Sequence, residues 1–86
     1  MYVVRCGDDS LYTGISTDVV RRFGEHAAQG RRCAKYLRGR GPLELVLTRH
    51  VGEKSRALSI ELWLKRLSRS SKEALLIGAY PWPSLP

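Results

Sequence analysis

Cysteine is scarce in this chain, and so are histidine and acidic residues. The two cysteines, Cys6 and Cys33, have neither the partners nor the spacing of a zinc site or a disulfide framework, so reduced thiols in a cytoplasmic setting are expected. The two histidines, His26 and His50, are too few and too scattered for a structural zinc site. No apolar run approaches the roughly 18 residues that a spanning helix needs, and nothing resembles a signal peptide, so no membrane partner is expected. The chain is also short. At 86 residues it makes one domain, which buries only about 60 to 65% of its unfolded surface. That leaves a thin core and an open surface patch as the functional site, suited to a large ligand and not to a small-molecule substrate.

What the chain has in excess is positive charge. Fifteen Lys and Arg against eight Asp and Glu give a formal net charge of +7 and a pI near 10.0, which favours a polyanion such as nucleic acid. The densest cluster is Gly30 to Pro42, GRRCAKYLRGRGP. It reads as a short helical turn inside a loop. Arg31, Arg32, Lys35, Arg38 and Arg40 can grip phosphates there, and Tyr36 can stack on a base or a sugar. The alternative is a solvated connector with Tyr36 and Leu37 tucked onto the core.

Most of the remaining chemistry lies between Tyr2 and His26. Tyr2 and Tyr12 each open an apolar run, with Gly7-Asp8-Asp9-Ser10 between them, which reads as two antiparallel strands and a turn. Paired strands can carry both phenols on one sheet face if the register allows it. Gly14 lacks a Cβ and lets another group come close. Ser16-Thr17-Asp18 offers helix caps, Val19, Phe23 and Ala27 fall at helical spacing, and the helix should end at Gly30. Arg22 and His26 lie one turn apart on one helix face, and Arg21 with Glu25 makes a second such pair nearer solvent.

Further on, Leu43 to Val51 alternates as a third strand with Leu43, Leu45 and Leu47 on one face, completing a three-stranded antiparallel sheet. Gly52 to Ser55 turns into a helix capped by Ser55 and running to about Leu67, with Ala57, Ile60, Leu64 and Leu67 as its buried stripe and Trp63 widening it. Glu61 sits at the stripe's margin. By spacing alone it makes a surface pair with Lys65, though a carboxylate so placed also stays ionised if it meets a metal or a cation. Ser70-Ser71-Lys72-Glu73 has the form of a capping box for a last helix ended by Gly78. Residues 79–86, with three prolines, form a tail in which packing of Tyr80 and Trp82 on the core is favoured. The expected fold is thus α+β, order ββα(α)βα(α), with the sheet flanked by helices and one domain spanning residues 1–78.

The ordered set Tyr2-Val3-Val4, Tyr12-Thr13-Gly14, Arg22 and His26 resembles the GIY-YIG nuclease domain, specifically its small standalone bacterial members. Ala34 to Arg40 and Ala57 to Lys65 extend the resemblance, which covers residues 2 to 77. Each motif is short, and it is their order that carries the likeness. The usual Gly-Ile ahead of the first tyrosine is absent, since only Met1 precedes it, and the chain contains no asparagine for the position that many family members fill after the metal-binding glutamate.

The resemblance implies an endonuclease that hydrolyses DNA phosphodiester bonds. Its catalytic set would be Tyr2, Tyr12, Arg22, His26 and Glu61, with Glu61 the ligand of a single Mg²⁺ or Mn²⁺ bound weakly without substrate. Arg22 suits the phosphate charge. The general base is Tyr12 by family preference, with Tyr2 and His26 left open; a free phenol titrates near pH 10, so that role needs Arg22, the metal or Lys35 nearby. Lys65 joins the basic loop in nucleic-acid binding. The partner is DNA, including branched or structured forms, read by shape and not by base sequence. RNA stays open, and the protein is expected as a monomer or weak dimer. The alternative is a nucleic-acid-binding module on the same scaffold without turnover.

Overall fold

A computed structural model describes residues 1–82. Residues 83–86, the end of the expected tail, lie outside the described residues. The hairpin forms as the turn residues dictate. Strand β1 (Tyr2–Arg5) pairs antiparallel with β2 (Leu11–Gly14), and the Asp8 carboxylate accepts from both the backbone and the hydroxyl of Ser10 while Asp9 takes a left-handed φ of 70°. Strand β3 (Glu44–Thr48) pairs antiparallel on the other edge of β1, giving the order β2-β1-β3.

Central β1 is covered on both faces. Tyr2, Val4 and Cys6 pack with Cys33 and Leu37 beneath helix α1 (Val19–Ala27) and a 3₁₀ turn at Lys35–Leu37. Met1 and Val3 pack with Ile60, Leu64 and Leu75 of helices α2 (Lys54–Lys65) and α3 (Arg69–Leu76). Both cysteines are free and buried. Among the described residues, no helix is long and apolar enough to cross a membrane. Tyr80 and Trp82 fold back on Trp63, with ring centroids 6.1 and 6.2 Å away.

Several local expectations are corrected. Leu47 does not share a face with Leu43 and Leu45, because a bulge at Val46 lets Val3 oppose Leu47 while Val4 opposes Leu45. The extra residue inverts the alternation, sending Leu43 and Leu45 to the Tyr2 side and Leu47 to the Val3 side. Helix α1 stops before Gly30. Gln29 takes the left-handed position with φ 58°, held by its side-chain amide, which donates to the carbonyls of His26 and Leu37 and accepts from Gly39 N–H. Ala27 is exposed, and His26 is the residue of α1 that is buried. Helix α2 begins one residue before Ser55, with Glu53 at its N-cap and no side-chain cap. Ser68, not Ser70, caps α3 by accepting from Ser71 N–H. Glu73 is drawn away from any capping box by ion pairs to Arg5 at 2.6 Å and Arg69 at 2.7 Å.

The register places Tyr2 opposite Gly14. A Cβ on Gly14 would stand 2.5 Å from Tyr2 Cζ, whereas a Cβ on Gly24, inside α1, would meet nothing within 4 Å. Gly14→Ala should therefore destabilise the fold by about 1–3 kcal/mol, while Gly24→Ala should stabilise it by about 1 kcal/mol through helix propensity. Urea unfolding of both variants checks this; equal effects from the two would mean that Tyr2 does not occupy the space above Gly14.

Candidate active site

The site is built on one buried hydrogen bond. Asp18 caps α1 by accepting from Arg21 N–H, and the helix then carries Arg22 and His26 toward the sheet face that holds Tyr2, Val4 and Tyr12. Tyr2 is 1% exposed and His26 is fully buried, and the Tyr2 hydroxyl lies 2.8 Å from His26 Nε2. On the other side of the imidazole, Ala34 N–H donates to Nδ1 at 3.2 Å. A nitrogen that accepts from a backbone N–H carries no proton, so the neutral ring bears its proton on Nε2 and donates it to the phenol oxygen. Tyr12 closes the cluster, its ring 6.4 Å from Tyr2 and 5.7 Å edge-on from His26.

Burial sets the protonation of this pair. The Tyr2 phenol is pushed up to about 12, first by desolvation and then by Tyr12, with Glu61 adding to the rise and Arg22 opposing it by charge and hydrogen bonding. It stays neutral at physiological pH. Burial also lowers the His26 pKa, helped by the Arg22 cation and opposed by Glu25. A second proton on His26 would sit on Nδ1 and face the Ala34 N–H, which is the same preference expressed in geometry.

Arg22 is held by Nη1, which donates to Glu25 at 3.1 Å and to the Arg32 carbonyl at 2.5 Å. Beyond those two bonds, the guanidinium reaches Tyr2 by charge and hydrogen bonding. Glu25 also meets Arg21 and Arg32. The Arg22 hydrogen bond, ahead of the other arginines, holds its carboxyl below the usual range against its own desolvation.

Glu61 comes from α2, which packs across β2. Its side chain is 20% exposed and one oxygen meets Lys65 Nζ at 3.5 Å. Among the described residues no group of three or more His, Cys, Asp and Glu could hold a metal ion. A single partly open carboxylate with one oxygen outside any ion pair fits a hard divalent ion whose shell is completed by water and a phosphate. A cleft of about 680 Å³ is lined by Val19 and Ala57, each about one helical turn before Arg22 and Glu61 in the chain, with Arg49, His50 and Lys54 on its wall. None of the five candidate catalytic residues lines it.

The basic loop is ordered by contacts that the sequence concealed. Arg38 donates to the Arg31 carbonyl, Arg32 meets Glu25, and Arg40 meets Asp8 at 2.5 Å. Tyr36 is not tucked away. It is 43% exposed and stacks on Tyr12 at 5.8 Å and 26°. Arg31, Lys35 and Lys65 are also exposed. Four positioning elements lay outside the sequence reading: the Ala34 N–H, Gln29, the Glu25 clamp on Arg22 and the Asp8 tether on Arg40. Only the Arg22 to Glu25 spacing on one helix face could have announced its partner in advance.

Comparison with known proteins gives a consistent answer. A sequence model described as the GIY-YIG catalytic domain matches residues 1–74. A UPF0213 protein of Vibrio cholerae is 54% identical over 79 residues, covering 91% of this chain and 76% of its own. A UPF0213 protein of Salmonella arizonae is 44% identical over 85 residues, covering 99% and 83%. The solution NMR structure of a UPF0213 protein from Bacillus halodurans is similar with a TM-score of 0.56 at 46% identity, covering 88% of this chain and 79% of that one.

The buried imidazole makes stability depend on pH. Because folding lowers the His26 pKa, the unfolded chain holds more protons below about pH 6.5, so stability rises with pH across that window and is lost as pH falls through it. The urea midpoint of the wild type should drop between about pH 7.5 and 5.5, and His26→Gln, less stable throughout, should have a flatter profile. Parallel profiles for the two proteins would remove the claim that the imidazole is held neutral.

Proposed function

This chain belongs to the GIY-YIG family, a family of nucleases, and from that premise we propose that it is a divalent-metal-dependent endonuclease that cleaves DNA and selects it by shape. The supporting observation is the convergence of Tyr2, Tyr12, Arg22 and His26 around one buried hydrogen bond, with the charge of Glu61 reaching the same phenol.

Phosphodiester hydrolysis needs a proton acceptor for water, a counter-charge for the phosphate and stabilisation of the departing oxygen. Arg22 supplies the counter-charge through the part of its fork that Glu25 does not hold. Glu61 holds a Mg²⁺ or Mn²⁺, which when bound adds Lewis-acid stabilisation of phosphate oxygens. His26 has both nitrogens occupied and Tyr2 is pushed up to about 12, so neither is suited to take a proton from water. Tyr12, half-buried beside them, is the remaining candidate base. The Tyr2 oxygen accepts from His26, which fixes the buried phenol beside Tyr12.

The basic residues Arg31, Arg32, Lys35, Arg38, Arg40 and Lys65 grip the backbone and carry no base readout of their own. That favours recognition of branches, flaps or ends over a base sequence. A second reading is favoured by one observation: Arg22 and Glu61 both rest in ion pairs, with Glu25 and Lys65. On that reading the scaffold binds nucleic acid without turnover.

Nicking of supercoiled plasmid with Mg²⁺ or Mn²⁺ separates the two. Wild type should nick only with metal, and Glu61→Ala and Arg22→Ala, purified in parallel, should each lose about 100-fold or more. Equal nicking by all three proteins would sink the enzymatic reading.

A further inference from the structure

We propose that Tyr36 is a stacking platform for a nucleobase of the bound DNA, and that in the free protein the Arg40 guanidinium occupies the place of that base, tethered there by Asp8. This rests on the nucleic-acid reading of the same site. Binding then exchanges partners: the base takes the Tyr36 ring, and Arg40 leaves Asp8 for a phosphate.

Tyr36 is a large aromatic side chain on a backbone that cannot swing it away. Leu37 beside it is fully buried, Ala34 N–H is bonded to His26, and Gln29 ties the Leu37 carbonyl and the Gly39 N–H to the end of α1. The ring is therefore held out by design of the loop. The ring stacks on Tyr12 at 26°, close to parallel. The flat guanidinium of Arg40 lies over the ring, with Cζ 4.3 Å from its centroid, which is where a planar base would lie.

The contacts that keep Arg40 in place are weak ones. Its ion pair with Asp8 joins side chains 38% and 48% exposed, so solvent screens it, and a guanidinium over an exposed ring gains little. Base stacking on an aromatic ring is stronger, and a freed arginine gains a bidentate phosphate contact. Arg31, Arg32, Lys35 and Arg38 lie within five residues of Tyr36 in the same loop, so the planar group brought to it is one attached to a polyanion. Because Tyr12 is already stacked on the ring, it takes a base at a branch or an end and not one inside continuous duplex.

Asp8 is the element that can be changed without touching the catalytic set. Asp8→Asn keeps an oxygen for the Ser10 N–H and hydroxyl, which the same carboxylate oxygen now accepts, and replaces the oxygen that faces Arg40. Glu44→Gln removes an equal charge at an exposed strand position with no ion pair among the described residues, and serves as the control for net charge.

Binding of a flapped DNA carrying 2-aminopurine at the flap base, in EDTA so that nothing is cut, reads the exchange. Wild type and Tyr36→Phe should quench the fluorophore alike. Tyr36→Ala should lose the quench and bind on the order of tenfold more weakly. Asp8→Asn should bind severalfold more tightly than Glu44→Gln. Full quench with unchanged Kd in Tyr36→Ala would overturn the proposal, and so would Asp8→Asn binding no more tightly than the control. A Tyr36→Ala protein that loses turnover alone, with Kd and quench intact, would also overturn it, since Tyr36 would then only position Tyr12. The assay needs no catalysis, so a protein that stacks the base but never nicks plasmid costs the nuclease reading and leaves this one standing.

Discussion

Everything at the site depends on the hydrogen bond between Tyr2 and His26, made where water cannot compete. Each partner is held from behind. Gly14 opens the space that the Tyr2 ring fills, and the Ala34 N–H fixes which imidazole nitrogen carries the proton. An unpaired phenol or imidazole at this depth would carry its full desolvation penalty, so the two groups stabilise one another's burial as well as one another's orientation. The result is a rigid, neutral pair beneath a more exposed Tyr12. Rigid groups below and an accessible one above is the arrangement that a surface active site on a thin domain can support.

Acidic residues are few, and the structure uses them to hold arginines. Glu25 gathers Arg21, Arg22 and Arg32; Asp9 and Glu73 gather Arg5 and Arg69; Asp8 holds Arg40. Glu73 shows how strongly these groups are committed, since Arg5 and then Arg69 draw its carboxyl down to about 2. The Arg5 and Arg69 pairs fasten α3 to the hairpin. The Glu25 and Asp8 pairs instead orient cations beside the phenols, where a phosphate can compete for them. One residue type thus serves both the fold and the site.

The elements were readable because their signals are local. The turn Gly7 to Ser10, a cap within Ser16 to Asp18, the Ala57, Ile60 and Leu64 stripe and the stop at Gly78 all appear where sequence placed them, with Asp18 the residue that caps. Errors arose where a distant contact overrode a local preference. The bulge at Val46 reversed Leu47, Gln29 displaced Gly30 as the helix stop by reaching across to Leu37 and Gly39, and Glu73 left its capping partner for Arg5, 68 residues away in the chain.

By itself the sequence determined which residue types were available, in what order, and the helical and strand periods that carry them, because those depend on neighbours within a turn or two. It put Arg22 and His26 on one side of α1, whereas the pairing of Val4 with Tyr12 and of Tyr2 with Gly14 is what set both phenols on one face. Only the tertiary structure decided that His26 is neutral with its proton on Nε2, that Tyr2 is sealed while Tyr12 stays within reach, and that Tyr36 stands between Tyr12 and Arg40. These are set by desolvation and by hydrogen bonds between groups as far apart as residues 2 and 26, and neither quantity exists until the chain has closed on itself.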